Sequence, residues 1–250
     1  MTEINALFDL TGKVALVTGG SRGLGREVAI AFAQAGADVV VTSRKLDACE
    51  GVAREIEAIG RRALALACHV GHWDELPLLV DAAYQHFGRI DILVNNAGMS
   101  PLSPSLADTS EALFDKVIGV NFKGPFRLAT LIGPRMVAAG GGTIINVSST
   151  AALRPTPRTT PYASAKAALN ALTIALAHEY GPTVRVNTLS PGPFLTDVAK
   201  HWPAERRGKR NNAAGRAAKP SEIITSALYL ASPASSYTTG ALIRVDGGLA

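Results

Sequence analysis

Short apolar runs alternate with helix-length amphipathic segments along the whole chain. Residues 13–18 (KVALVT) are apolar at every interior position and rich in β-branched side chains, the pattern of a strand buried on both faces. A glycine-rich turn follows, then a helical period over residues 24–35 that stops at Gly36. The same reading predicts further strands at 39–42, 63–67, 90–94, 143–147, 183–188 and 241–245. Between them it predicts helices over 47–59, 73–87, 110–138, 162–180 and 221–230, with Gly124-Pro125 the place for a bend in the longest. Strands and helices alternating at this length imply right-handed crossovers and a parallel sheet. The expected architecture is α/β: one doubly wound domain over residues 1–250, with a parallel sheet of about seven strands and helices on both faces. The irregular stretch from Pro191 to Pro220 is long for a plain connection and is expected to form a substrate-binding flap.

Composition narrows the classes. Hydrophobic residues make up 47% of the chain and charged residues 18%, ample material for a buried core. Two cysteines, Cys49 and Cys68, supply no disulfide framework, so a reducing, cytoplasmic setting is expected. No apolar run reaches the roughly 18 residues of a membrane-spanning helix, and the first residues lack the pattern of a secretion signal. The net charge of +5 is most visibly concentrated in Glu205-Arg-Arg-Gly-Lys-Arg210. One polar stretch is not a nucleic-acid-binding element; it reads as a solvated loop or as a loop closing over an anionic ligand. Neither nucleic acid nor membrane is expected as a partner.

The turn after the first strand, Thr18-Gly-Gly-Ser-Arg-Gly-Leu-Gly25, carries the first chemistry. Glycines there let backbone N–H groups approach a phosphate, with the positive end of a helix behind them. Its spacing, Gly19, Gly23, Gly25, departs from G-x-G-x-x-G, so its context between a buried strand and a helix carries the reading. Ser21, Arg22 and Leu24 lie in the same turn. About twenty residues on, where an acid would accept from a ribose 2′-hydroxyl, the second strand ends in Ser43 and Arg44. Two guanidiniums, Arg22 and Arg44, suit a 2′-phosphate, which favours NADP(H) as cofactor over NAD(H); two surface arginines without a ligand are the plainer alternative.

A second constellation lies further along. Tyr162 and Lys166 are four apart on a predicted helix and share a face. A neighbouring ammonium favours tyrosinate, which would bring a phenol with a pKa near about 10 into the useful range for acid–base work. Ser149, at the end of a predicted strand, could donate to the same substrate oxygen. With Asn95-Asn-Ala-Gly98, Asn121, Pro191-Gly192 and Asp246-Gly-Gly248, these motifs resemble, in order and spacing, the short-chain dehydrogenase/reductase family over nearly the whole chain.

The resemblance implies a Rossmann-type fold and hydride transfer between a nicotinamide and a carbonyl or secondary alcohol. It implies Tyr162 as general acid/base, Lys166 as the residue that lowers its pKa and binds the nicotinamide ribose, Ser149 as the group orienting the substrate oxygen, and Asn121 as holder of a water in a proton relay. The family's spacing of about thirteen residues to the tyrosine selects Ser149 over Ser148. Asn95, Ala97 and Gly98 would stabilise the sheet and wall the adenosine side, and Pro191, Gly192 and Thr196 would meet the carboxamide and phosphates. Where the family commonly has Asp-Val after the third strand, this chain has His69-Val70, so an adenine contact is lost or taken over by imidazole. Cys68-His69-x-x-His72 lacks further ligands for a metal site, and none is expected. A homo-oligomer, by resemblance a tetramer, is implied, with the fifth and sixth helices as interface faces.

The substrate class stays open at this stage. The resemblance includes 3-oxoacyl-carrier-protein reductases, but residues 138–142 and 180–183 lack the basic residues that would dock an acidic carrier. The pocket is expected from residues 100–103, 151–161 and the segment from Pro193, with Arg154, Arg158 or the Arg206–Arg210 cluster as candidates for a carboxylate or phosphate on the substrate. A dinucleotide-binding regulator without turnover is the alternative from another class.

Overall fold

The computed structural model describes residues 3–197, 199 and 210–249. Strands β1 (Val14–Thr18), β2 (Asp38–Ser43), β3 (Ala63–Ala67), β4 (Ile92–Asn95), β5 (Gly142–Val147), β6 (Val184–Pro191) and β7 (Leu242–Val245) form one sheet. All six pairings are parallel, in the order β3-β2-β1-β4-β5-β6-β7. The helices are α1 (Gly23–Gln34), α2 (Leu46–Ala58), α3 (Glu75–Phe87), α4 (Glu111–Ile118), α5 (Gly124–Ala138), α6 (Thr160–Tyr180) and α7 (Ile224–Ala231).

The strand alternation divides the core in two. Ala15 and Val17 of β1 join Phe32 of α1, Ile56 of α2 and Leu230 of α7 on one face. Val14 and Leu16 join Leu79 of α3, Ile132 of α5 and Leu176 of α6 on the other. Successive side chains point to opposite faces, so only an apolar run without alternation can serve both layers, which is why 13–18 reads as it does. The chain leaves β1 towards β2 on one side and returns to β4 on the other. The carboxyl ends of β1 and β4 therefore border the crevice where ligands bind in wound sheets.

The long helix expected over 110–138 is three segments. Between α4 and α5 lies a π-helical turn, Gly119–Lys123, so the irregularity falls one turn before Gly124-Pro125. The cause is Pro125: it has no N–H for the carbonyl of Asn121, four residues back, and its ring would collide with that carbonyl in a regular helix. The wider turn relieves both and places Asn121 in its centre. Ser110 caps α4, its side chain accepting from the Leu113 N–H at 3.2 Å.

Candidate active site

The glycine turn is held from β4. The Thr18 hydroxyl accepts from the N–H groups of Asn96 and Ala97, each at 3.0 Å, and the Asn96 amide donates to the Thr18 and Gly19 carbonyls at 2.8 and 3.3 Å. Gly19 and Gly23 take positive φ, 64° and 55°, where a side chain would be strained. A Cβ at Gly25 would lie 2.3 Å from both the Asn96 amide nitrogen and the Gly19 carbonyl oxygen. Gly25→Ala is therefore expected to lose about 2–3 kcal/mol in urea unfolding, whereas Gly51→Ala inside α2 meets open space and should gain up to about 1 kcal/mol. Equal effects at the two sites would contradict the close approach.

At the start of α1 the first N–H groups have no carbonyl a turn behind them, and the helix dipole adds positive potential. Ser21 and Leu24 are half-buried there, Leu24 packing on the core, and Arg22 is exposed. Across the cleft lies the segment after β6. The Gly192 N–H donates to the Val245 carbonyl at 2.9 Å, and a Cβ at Gly192 would meet Asp246 at 2.6 Å. Thr196 stands 3.5 Å from where a Cβ on Gly23 would be, and Asp197 pairs with Arg22 at 3.6 Å. Of the Arg206–Arg210 cluster, residues 206–209 lie outside the described residues.

The residues expected on the adenosine side depart from expectation in detail. The Ser43 hydroxyl turns inward to the Lys45 carbonyl, 3.3 Å, and the Cys49 thiol, 3.1 Å, while Arg44 is exposed. The His69 Nδ1 accepts from the Gly71 N–H at 3.1 Å, and its ring stacks on His72 at 4.2 Å. Burial, then the charges of His72 and Arg44, pull the His69 pKa down, so imidazole rather than imidazolium lines this wall. Val70 is buried and its carbonyl lies 2.2 Å from where a Cβ on Gly124 would be, which makes it a packing residue under α5. His72 is bonded to Glu75 at 2.6 Å, and burial pushes the Cys68 thiol up to about 12.

Asn95 is 1% exposed, and its amide donates to Asn146 on β5 at 2.9 Å. The Asn146 amide continues to Thr173 on α6 at 2.9 Å. Asn95 thus ties strands together beneath the crevice, and Asn96, which the sequence reading did not single out, holds the glycine turn. Gly98 lies against the catalytic candidates: a Cβ there would be 3.0 Å from Asn121 Oδ1 and 3.7 Å from Lys166 Nζ.

Asn121, Ser149, Tyr162 and Lys166 come together. The Asn121 amide donates to the Met99 and Val117 carbonyls at 2.8 and 2.9 Å, and its oxygen accepts from the Met99 N–H at 3.2 Å. Ser148 is committed to α6, its hydroxyl donating to the Lys166 carbonyl at 3.2 Å. The Ser149 hydroxyl accepts from the Ala151 N–H at 3.1 Å and lies near the Tyr162 phenol. Lys166 is 2% exposed; its Nζ donates to the Val147 carbonyl at 2.7 Å and lies 5.8 Å from the Tyr162 ring centre.

The titration differs from the expectation drawn from spacing. Burial raises the Tyr162 pKa, and the nearby Ser149 hydroxyl opposes it only in part. Burial lowers Lys166 to about 7. The i,i+4 spacing put both residues on one face but could not show that the lysine is sealed from water, which weakens its own charge before it can act on the phenol.

A strand-to-helix glycine turn at the switch point of a parallel sheet, with a serine and a tyrosine beside a buried lysine, defines a nucleotide-dependent oxidoreductase of the Rossmann type. A family model described as enoyl-(acyl carrier protein) reductase matches residues 19–250. The chain is 38% identical over 243 residues to 7alpha-hydroxysteroid dehydrogenase of Escherichia coli K12, covering 96% of this chain and 94% of that one. It superposes on a 7alpha-hydroxysteroid dehydrogenase complexed with NADH and 7-oxo glycochenodeoxycholic acid at a TM-score of 0.94, with 37% identity over 99% of this chain and 98% of that one. A 3-oxoacyl (acyl-carrier-protein) reductase from Agrobacterium tumefaciens C58 with NADP bound superposes at 0.92, with 32% identity over 99% and 98%. The chain belongs to the short-chain dehydrogenase/reductase family and is an oxidoreductase acting on alcohol or carbonyl groups. Among the described residues no helix is long and apolar enough to cross a membrane.

Proposed function

We propose that this chain is an NADP(H)-dependent enzyme that interconverts a carbonyl and a secondary alcohol on a small molecule. The observation that supports this most is Lys166, sealed from water with its amine 2.7 Å from the Val147 carbonyl and 5.8 Å from the Tyr162 ring centre, with the Ser149 hydroxyl beside the same phenol. Ser149 and Tyr162 present two hydroxyls to one substrate oxygen. Tyr162, held protonated by burial, gives its proton to that oxygen during reduction and takes it back during oxidation. Ser149 polarises the same oxygen. Asn121, whose carbonyl receives no N–H from Pro125, is placed to hold a relay water. The glycine turn, Arg22 and Thr196 suit a dinucleotide's phosphates, and the bound nicotinamide supplies or takes up the hydride. The stretch 191–220 serves as the substrate flap within a single domain.

NADP(H) is favoured because β2 ends in Ser43 and Arg44 without an acid, and because the guanidiniums of Arg22 and Arg44 are both exposed towards solvent. A charge-assisted bond to phosphate contributes about 1.5–3 kcal/mol, so Arg22→Ala and Arg44→Ala should each weaken NADPH binding by about ten-fold or more and leave NADH within about two-fold. A protein that prefers NADH, or loses both cofactors equally, contradicts this assignment.

For the substrate, Arg154 is exposed, and Arg158 is tied to the neighbouring loop, its carbonyl accepting from the Ser103 N–H at 3.0 Å. A carboxylate carried by a ketone is the substrate group that either guanidinium would favour. A carrier-protein substrate is less favoured, since 138–142 and 180–183 carry no basic side chain. The exposed apolar side chains Phe126 and Val137 on α5 and Ile174 on α6 support a homotetramer built on those helices. Two free, buried thiols support a cytoplasmic location.

A further inference from the structure

We infer that Asp197 is a cofactor-selectivity residue: its carboxylate holds Arg22 across the cofactor cleft and must be displaced before that guanidinium can take a cofactor phosphate. The inference rests on the reading of Arg22 as a 2′-phosphate ligand. Arg22 stands at the N-cap of α1, and Asp197 follows Thr196 on the opposite wall of a cleft also lined by Gly23, Arg26 and Leu195. The nitrogen–oxygen distance is 3.6 Å, and the two side chains are 69% and 40% exposed. At that distance and exposure the pair is weak enough to be exchanged for a better anion, worth at most about 1 kcal/mol.

The exchange is unequal between the two cofactors. A dinucleotide with a 2′-phosphate brings two negative charges and three acceptor oxygens to Arg22 and has to remove the carboxylate. One with a bare 2′-hydroxyl has no such claim, and the Arg22–Asp197 pair persists beside it. Asp197 therefore costs NADPH affinity without costing NADH affinity. Arg26, in the same cleft, does not substitute for Arg22, because its guanidinium is already bonded to Glu55 at 2.5 Å and Glu27 at 3.3 Å.

The test is a binding cycle by titration calorimetry with NADPH and NADH on the full chain, its Asp197→Asn and Arg22→Ala forms, and the double variant. Asp197→Asn is expected to tighten NADPH about three- to five-fold and leave NADH within error, and to do nothing to NADPH once Arg22 is alanine. Equal tightening of both cofactors, no tightening, or a gain that survives in the double variant overturns the inference. If Arg22→Ala leaves NADPH affinity unchanged, the phosphate role of Arg22 falls and this inference with it. If Arg22→Ala weakens NADPH but Asp197→Asn changes nothing, only the role of Asp197 falls.

Discussion

Replacing Tyr162 with phenylalanine should lower kcat/KM by about 10²–10⁴-fold while leaving the dissociation constant of the nicotinamide dinucleotide within a few-fold. The substitution removes one oxygen and keeps the ring that lies over the Lys166 amine, so packing changes little. What it removes is the phenol hydroxyl beside Ser149. Without it, a substrate oxygen gaining negative charge would meet the Ser149 hydroxyl alone, which can donate a hydrogen bond but is far too weak an acid to surrender its proton. Steady-state kinetics beside cofactor titration checks the prediction. A loss of cofactor binding as large as the loss of rate would mean that Tyr162 acts chiefly as a binding residue.

Lys166→Met should do two opposed things: abolish most turnover and stabilise the cofactor-free protein. Burial lowers the lysine pKa from 10.5 to about 7, at about 1.4 kcal/mol for each unit, so holding it charged at neutral pH costs several kcal/mol, on the order of 4. The lost bond to the Val147 carbonyl returns part of that, and a net gain of about 2 kcal/mol should raise the melting temperature by roughly 5 °C. The pH dependence fixes the sign. Between about pH 7 and 10.5 the unfolded chain holds a proton that the folded chain has released, so the parent gains stability as pH rises. The advantage of Lys166→Met is full below pH 7 and shrinks towards pH 10. An advantage that is flat across that range, or that grows with pH, would show that Lys166 is not buried as a strained amine. Such a cost is common where a residue is kept for chemistry rather than stability.

Legibility in the sequence follows the range of the interaction. The strands were readable because burial on both faces forces an unbroken apolar run, as in Val39, Val40 and Val41, and helix ends were marked by Gly36 and Gly60 at positive φ. The family motifs brought Ser149, Tyr162 and Lys166 to one place. Features set by tertiary contacts were not legible. Helix α6 starts at Thr160 rather than 162 because Pro161 fits its first turn. Strand β6 runs on to Pro191 because β7 lies alongside it, with Gly192 bonded to Val245 just beyond. Trp73 stays outside α3 and stacks between the Arg127 guanidinium, 4.6 Å away, and Phe126, 6.3 Å away. The π turn did have a local signal, since a proline four residues after Asn121 forbids a regular helix there. Asn96 stood within the Asn95-Asn-Ala-Gly98 motif, but its contact with the Thr18 and Gly19 carbonyls, more than 75 positions away, had no local signal.

The most direct test of the central claim is nicotinamide absorbance during turnover, with NADPH and NADH supplied separately against pools of ketones, keto acids, sugars and oxoacyl thioesters, and of alcohols in reverse. The account predicts cofactor consumption in at least one pool, faster with NADPH and lost with Tyr162→Phe. Consumption that survives in Tyr162→Phe, or tight cofactor binding with no turnover in either direction, would contradict it.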